Sequence, residues 1–133
     1  MKQRITVRDI MDKKGRERIV MITAYDATMA RIVNAANMDV ILIGDSAGNV
    51  MAGGDSTLGV TMDQMVYHTL CVTRTRPGAL VISDMPFLSY QASVSDAVRN
   101  AGRLLQEADA QGVKVEGGKR VIEQIRAIVN ADI

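Results

Sequence analysis

Three acidic residues stand where apolar runs of strand length end. Asp45 follows Val40 to Gly44, Asp84 closes the run that begins at Ala79, and Glu116 closes the run that begins at Gly112. Short apolar runs bounded by Gly or Pro read as buried strands. In a parallel α/β fold the C-terminal strand ends gather on one face, and ligands bind there. Three carboxylates converging at that face, with no Cys or His alongside, make a hard-oxygen site. Such a site suits Mg²⁺, which takes few carboxylates, keeps several waters and accepts substrate oxygens. Taken singly, each acid could as well cap the loop or helix that follows it.

The neighbours of these acids carry weaker signals. Lys114 lies two residues before Glu116, so both point to the same side of their strand. It could meet a substrate carboxylate or neutralise Glu116, and spacing alone favours the neutralising role. Ser46 could donate to a ligand or bond its own loop backbone, and spacing does not decide. His68 is the general-base candidate by residue type, yet it falls inside a predicted helix at the edge of its apolar stripe. Packing or surface exposure is the simpler reading there. Cys71, also within that helix, shows no sign of activation. The nine Met residues are mostly core filler. Gly53-Gly54 opens no dinucleotide fingerprint, and no phosphate-binding P-loop is present.

The elements that must position these groups follow from periodicity. Residues 6 to 12 predict a short helix starting near Thr6, followed by a solvated turn at Lys13 to Arg16. Residues 19 to 25 form a continuous apolar run, the first strand. Asp26 caps a helix with Met29, Ile32, Val33 and Ala36 on one face, stopped at Asn37. The strand at 40 to 44 leads into a long, flexible Gly-rich loop. Thr61 and Gln64 have capping-box spacing, opening a helix with Met62, Met65, Val66, Thr69 and Leu70 buried. The third strand covers 79 to 84. Ser93 with Asp96 then opens a helix with the stripe Val94, Ala97, Val98, Ala101, Leu105 and Ala108. The fourth strand covers 112 to 116. A last helix carries Val121, Ile122, Ile125, Ile128 and Val129. Four βα units with strands apolar throughout predict a parallel sheet covered by helices, with the first and fourth strands at its edges.

Composition narrows the class. The chain has 133 residues, read as one domain, with 16 basic and 15 acidic side chains and a net charge of +1. That balance argues for neither nucleic acid nor an anionic membrane as partner. Three Tyr, one Phe and no Trp leave little for base stacking. The single cysteine excludes an internal disulfide and fits a reducing compartment. No apolar run reaches the length of a membrane span, and the charged N-terminus lacks a signal-peptide core. A cytoplasmic protein is expected.

Specific strings then add what periodicity cannot. ITAYDA, ILIGDSAGNVMAGGDSTLGVTMDQMVYH, SDMPFLSYQ and DAVRNAGRLLQEADAQGVKVEGG run in order through nearly the whole chain. Together they resemble the ketopantoate hydroxymethyltransferase family. The resemblance implies a parallel (β/α)₈ barrel of the TIM type and a homodecamer. It also implies transfer of a one-carbon unit from 5,10-methylenetetrahydrofolate to 3-methyl-2-oxobutanoate in pantothenate biosynthesis. By motif it makes Asp45, Asp84 and Glu116 the surroundings of Mg²⁺. It makes Asp45, Ser46, Asp84 and Lys114 contacts of the oxoacid, which favours a substrate role for Lys114 and Ser46.

The loop departs from the family pattern at Ala47 and Asn49, where larger apolar residues are usual, and at Gly59, where Pro is common. An eight-unit barrel takes about 250 residues, so these 133 are expected to be its N-terminal half, with about four units. The family's catalytic base, a Glu in a later strand, has no counterpart here, so no catalytic residue is assigned and the chain alone is expected to be inactive. Two alternatives stand beside this reading. One is a non-catalytic half-barrel that binds Mg²⁺ or an oxoacid or serves assembly. The other is a different Mg²⁺-dependent carbon–carbon enzyme of the phosphoenolpyruvate/pyruvate barrel type, which the order of the strings disfavours.

Overall fold

Four side-chain caps mark the starts of helices. Thr6 accepts the amide of Asp9 at 3.3 Å, Asp26 that of Met29 at 2.8 Å, Thr61 that of Gln64 at 3.2 Å, and Ser93 that of Asp96 at 3.0 Å. Each bond satisfies an amide that a helix start leaves without a backbone partner. Thr6 and Thr61 form full capping boxes with Asp9 and Gln64.

The computed structural model describes residues 4–133. In order it contains α1 (Val7–Asp12), β1 (Met21–Thr23), α2 (Ala27–Ala35), β2 (Val40–Ile43), α3 (Ala47–Val50), α4 (Met62–Thr73), β3 (Leu80–Asp84), α5 (Val94–Gln106), β4 (Gly112–Lys114) and α6 (Ile122–Asn130). A 3₁₀ turn, Gly118–Val121, leads into α6. The strands form one parallel sheet in the order β1-β2-β3-β4. The expected parallel α/β order and both expected edges are therefore present.

Register divides the sheet into two chemically different faces. Ile41, Ile43, Val81 and Ser83 are fully buried on the face that meets the helices. The Ser83 hydroxyl bonds that of Thr69 on α4 at 2.9 Å, which marks this face as the α4 side. Asp84, one residue further, therefore points to the opposite face. At that position it is the register partner of Lys114 in β4. The alternation thus delivers an acid and a base side by side, where the sheet ends.

Several details differ from the periodic reading. The strands at 19 to 25, 40 to 44 and 112 to 116 are shorter than expected, because pairing stops where the chain turns into its loops. β1 is exposed along its length, with Met21 at 54% and Ile22 at 44%, because its outer edge has no partner strand among the described residues. Met29 and Ile32 of α2 are exposed, while Ala30 and Val33 face the core. In α5 the buried line is Ala97, Ala101 and Leu104, continued by Ala108, so Leu104 replaces the expected Leu105. Positions 97, 101, 104 and 108 share one helical face, and 94, 98 and 105 flank it. Ile122 and Val129 of α6 are likewise exposed, with Ile128 inward. Lys13 is not merely solvated: its Nζ meets Asp39 at 2.8 Å. The loop after β2 is not uniformly irregular either, since it contains α3. Among the described residues no helix is long and apolar enough to cross a membrane.

Candidate functional site

β2, β3 and β4 end side by side, and each hands one acid to the same cleft. Asp45, Asp84 and Glu116 line an opening of about 120 Å³, together with Leu58, Phe87 and Tyr90. The Asp45 backbone amide donates to Asp84 Oδ2 at 3.0 Å. Lys114 Nζ lies 2.6 Å from Asp84 Oδ1 and 3.4 Å from Glu116 Oε1. The ammonium therefore sits between two carboxylates, nearer the buried one. Spacing along the chain favours pairing with Glu116; register gives Lys114 the closer partner Asp84.

Gly44 permits this convergence. A Cβ there would lie 2.7 Å from Ser46 Oγ and 3.5 Å from Asp84 Oδ2. The first distance is shorter than real Cβ contacts, so any side chain at 44 would displace the Ser46 hydroxyl. That hydroxyl bonds the phenol of Tyr25 at 2.6 Å. Tyr25 is in turn held through its carbonyl, 2.9 Å from His68 Nδ1. A ring nitrogen facing a carbonyl must carry the proton, so His68 is spent on anchoring the end of β1. The reading of His68 as a packing residue agrees with this geometry. Cys71 is half-buried in α4 with a free thiol.

The charges respond to their surroundings in opposing ways. Burial pushes the Asp84 carboxyl above the ordinary aspartate value, against the pull of Lys114 and of the Asp45 amide. Burial also disfavours the Lys114 ammonium, but Asp84 and then Glu116 outweigh it and hold its pKa above the ordinary lysine value.

Among the described residues, no group of three or more His, Cys, Asp or Glu side chains stands close enough together to hold a metal ion, so Asp45, Asp84 and Glu116 share the cleft without forming a three-acid cluster. The cleft instead offers carboxylate oxygens spread around a small opening. That donor set fits a hard cation that keeps water and takes oxygens from a bound ligand, the habit of Mg²⁺. It does not fit a soft or fully protein-ligated metal.

Tyr25 and Tyr90 were not among the residues singled out from sequence. Tyr25 carried a usable signal, since it ends the first apolar run as Asp45 and Asp84 end theirs. Tyr90 carried none beyond its place in the segment after Asp84.

The fold defines a class first. The chain shares its parallel α/β fold with oxaloacetate acetylhydrolase, at a TM-score of 0.71 and 14% identity, covering 98% of this chain and 50% of that one. It shares the fold equally with 2,3-dimethylmalate lyase, a PEP mutase/isocitrate lyase superfamily member, at a TM-score of 0.67 and 16% identity, covering 96% and 47%. The more particular assignment comes from sequence: the chain belongs to the ketopantoate hydroxymethyltransferase family, whose model matches residues 4–133. It is 51% identical to the 3-methyl-2-oxobutanoate hydroxymethyltransferase of Pelobacter propionicus, over 100% of this chain and 50% of that protein. It is 53% identical to that of Moorella thermoacetica, over 99% and 49%. The chain thus spans about half the length of the curated relatives it matches.

Proposed function

We propose that this chain supplies the oxoacid-holding part of a Mg²⁺-dependent 3-methyl-2-oxobutanoate hydroxymethyltransferase. The reaction would move a hydroxymethyl group from 5,10-methylenetetrahydrofolate to 3-methyl-2-oxobutanoate and give ketopantoate. The observation that carries the reading is the cleft itself: Asp45, Asp84 and Glu116 line one opening, and Lys114 stands between the last two. Membership of the family supports it. In the same reading the sheet is part of a closed (β/α)₈ barrel, and the protein works in the cytoplasm as a homo-oligomer.

Each residue then has a task. Asp45 and Asp84 would hold the Mg²⁺, and Glu116 would reach it through water. When bound, the cation supplies positive charge where negative charge develops on the keto oxygen. Lys114 offers its ammonium to the substrate carboxylate, and Ser46 offers a hydroxyl whose direction Tyr25 constrains. Leu58 and Phe87 give the branched alkyl end an apolar wall. Loss of the C3 proton requires a base, and no residue of this cleft is assigned that role. Folate recognition likewise lies outside the residues named here.

Titration calorimetry tests the reading. 3-Methyl-2-oxobutanoate should bind saturably to the chain in the presence of Mg²⁺, and Asp45→Ala or Asp84→Ala should abolish it. NMR should show no deuterium exchange at C3 by these residues alone. Binding of equal strength without Mg²⁺, or in both variants, would overturn the reading.

A further inference from the structure

Glu116 lies beyond the last paired position of its strand. The ladder between β3 and β4 ends at Asp84 and Lys114, with a final backbone bond from the Met85 amide to the Lys114 carbonyl at 3.0 Å. Two glycines in left-handed conformations follow Glu116, at φ +114° for Gly117 and +54° for Gly118. Its side chain is 76% exposed. A carboxylate placed between a strand end and two such glycines has many positions open to it. The Lys114 ammonium meets that carboxylate at 3.4 Å, and the backbone beneath it needs a hold of its own.

Tyr90 supplies that hold. The residue is 3% exposed, and its hydroxyl meets both backbone polar groups of Glu116. The Glu116 amide donates to the phenol oxygen at 3.0 Å, and the phenol donates to the Glu116 carbonyl at 3.2 Å. Two bonds to one residue fix the orientation of its peptide planes as well as its distance. The anchor is itself anchored. Ser89 bonds the Pro86 carbonyl through its hydroxyl at 2.7 Å, and Asn100 of α5 donates to the Ser89 carbonyl at 2.6 Å. Leu88 takes a φ of +62° to make this turn, a region that a leucine occupies only when its surroundings impose it. Tyr90 thereby joins the loop after Asp84 to the loop carrying Glu116.

We infer that Tyr90 is a positioning residue, which fixes the Glu116 carboxylate relative to Asp84 by clamping the Glu116 backbone. The inference rests on the reading of Glu116 as part of the Mg²⁺ surroundings. Residues that orient a metal's neighbours without touching the metal commonly change its affinity by about 10- to 100-fold.

The test uses the full chain and Mg²⁺ alone as probe. Tyr90→Phe keeps the buried ring and removes both bonds. In the metal-free wild type, the Glu116 amide should exchange with solvent more slowly than those of Gly117 and Gly118, a measurement that needs no variant. Tyr90→Phe should retain the wild-type circular dichroism, speed Glu116 exchange and weaken Mg²⁺ binding by about tenfold. In a Glu116→Gln background the same change should leave Mg²⁺ affinity unaltered, because the group it positions is gone; a merely structural role would persist. Equal Mg²⁺ affinity in Tyr90→Phe and wild type, or an undiminished loss in the Glu116→Gln background, would overturn the role of Tyr90 alone. Glu116 exchange as fast as that of Gly117 in the wild type would do the same. Absence of any Mg²⁺ binding by the wild type would remove the metal reading, and this inference with it.

Discussion

Asp84 and Lys114 are register partners at the last paired positions of β3 and β4, and their side chains close to 2.6 Å. Asp84 is nearly buried, so the pair is asymmetric: the acid depends on the base more than the reverse. Lys114→Met should leave a buried carboxylate with only the Asp45 amide for support. We expect a loss of about 1–3 kcal/mol at neutral pH, the cost of an uncompensated buried polar group, moderated by the half-exposure of Lys114. The pH dependence has a definite sign. Asp84 already titrates above its unfolded value because of burial, so its ionisation destabilises the fold as pH rises through that window. Removing Lys114 pushes the carboxyl higher still. The deficit of the variant should therefore be largest near pH 7 and shrink near pH 4, which urea melts across that range would show.

Asp39 should behave in the opposite sense. It accepts Lys13 Nζ at 2.8 Å and the Val20 amide at 2.9 Å, tying the turn after α1 to the entry of β1. Lys13 first, then the Val20 amide, hold its carboxyl below the ordinary aspartate value. A depressed folded pKa gives stability present above the unfolded value of about 3.9 and lost as pH falls through the folded one. Asp39→Asn should be less stable than wild type by about 1 kcal/mol at pH 7. The difference should shrink as pH falls through the lowered folded pKa of Asp39. A deficit that stays constant with pH would show that packing, not charge, is responsible.

The opening of α4 gives a simpler prediction. Thr61 accepts the Gln64 amide at 3.2 Å while Gln64 Oε1 accepts the Thr61 amide at 2.8 Å. Thr61→Ala should cost about 1 kcal/mol, and Thr61→Ser should recover most of it. Chemical denaturation of the three proteins decides this, and equal stability of all three would count against the cap.

Gly44 is sensitive for a local reason. In Gly44→Ala the new methyl would press on Ser46 Oγ, whose bond to Tyr25 must then break or lengthen. The proposed function makes weaker oxoacid binding the expected result, with stability lowered by about 1 kcal/mol through the lost hydrogen bond. Tyr25→Phe should reproduce the stability loss, since it removes the same bond from the other side. Calorimetry with 3-methyl-2-oxobutanoate and thermal melts together report both effects.

The parts of this architecture that were legible in the sequence are those set by local chemistry. Thr6, Asp26, Thr61 and Ser93 announce their helices because a cap needs only the next few residues. Asp45, Asp84 and Glu116 could be picked out because an apolar run has a visible end. What depends on register was not legible. Lys114 stands two residues from Glu116 along the chain, yet its closer partner is Asp84, set by how β4 slides against β3. Nor could periodicity separate Leu104 from Leu105, since adjacent leucines both fall near the stripe and only tertiary packing decides which is buried. α3 was missed because Ala47-Gly48-Asn49-Val50 is too short for a period and contains a glycine. The clamp by Tyr90 had no local trace at all, because a buried tyrosine in a loop reads as core.

The order β1-β2-β3-β4 has a consequence for how the protein is made. Each strand after β1 pairs with the strand synthesised just before it: Val40 with Met21, Leu80 with Val40, Gly112 with Ile82. A nascent chain emerges N-terminus first, so each new strand meets an edge that is already waiting. Loop closure then costs one short crossover at a time, and none of these three pairings has to wait for a distant segment. On the ribosome the sheet can grow like a row of planks, each laid against the last. The site acids Asp45, Asp84 and Glu116 are delivered in the same sequence, and the clamp on Glu116 closes only after Tyr90 is already in place.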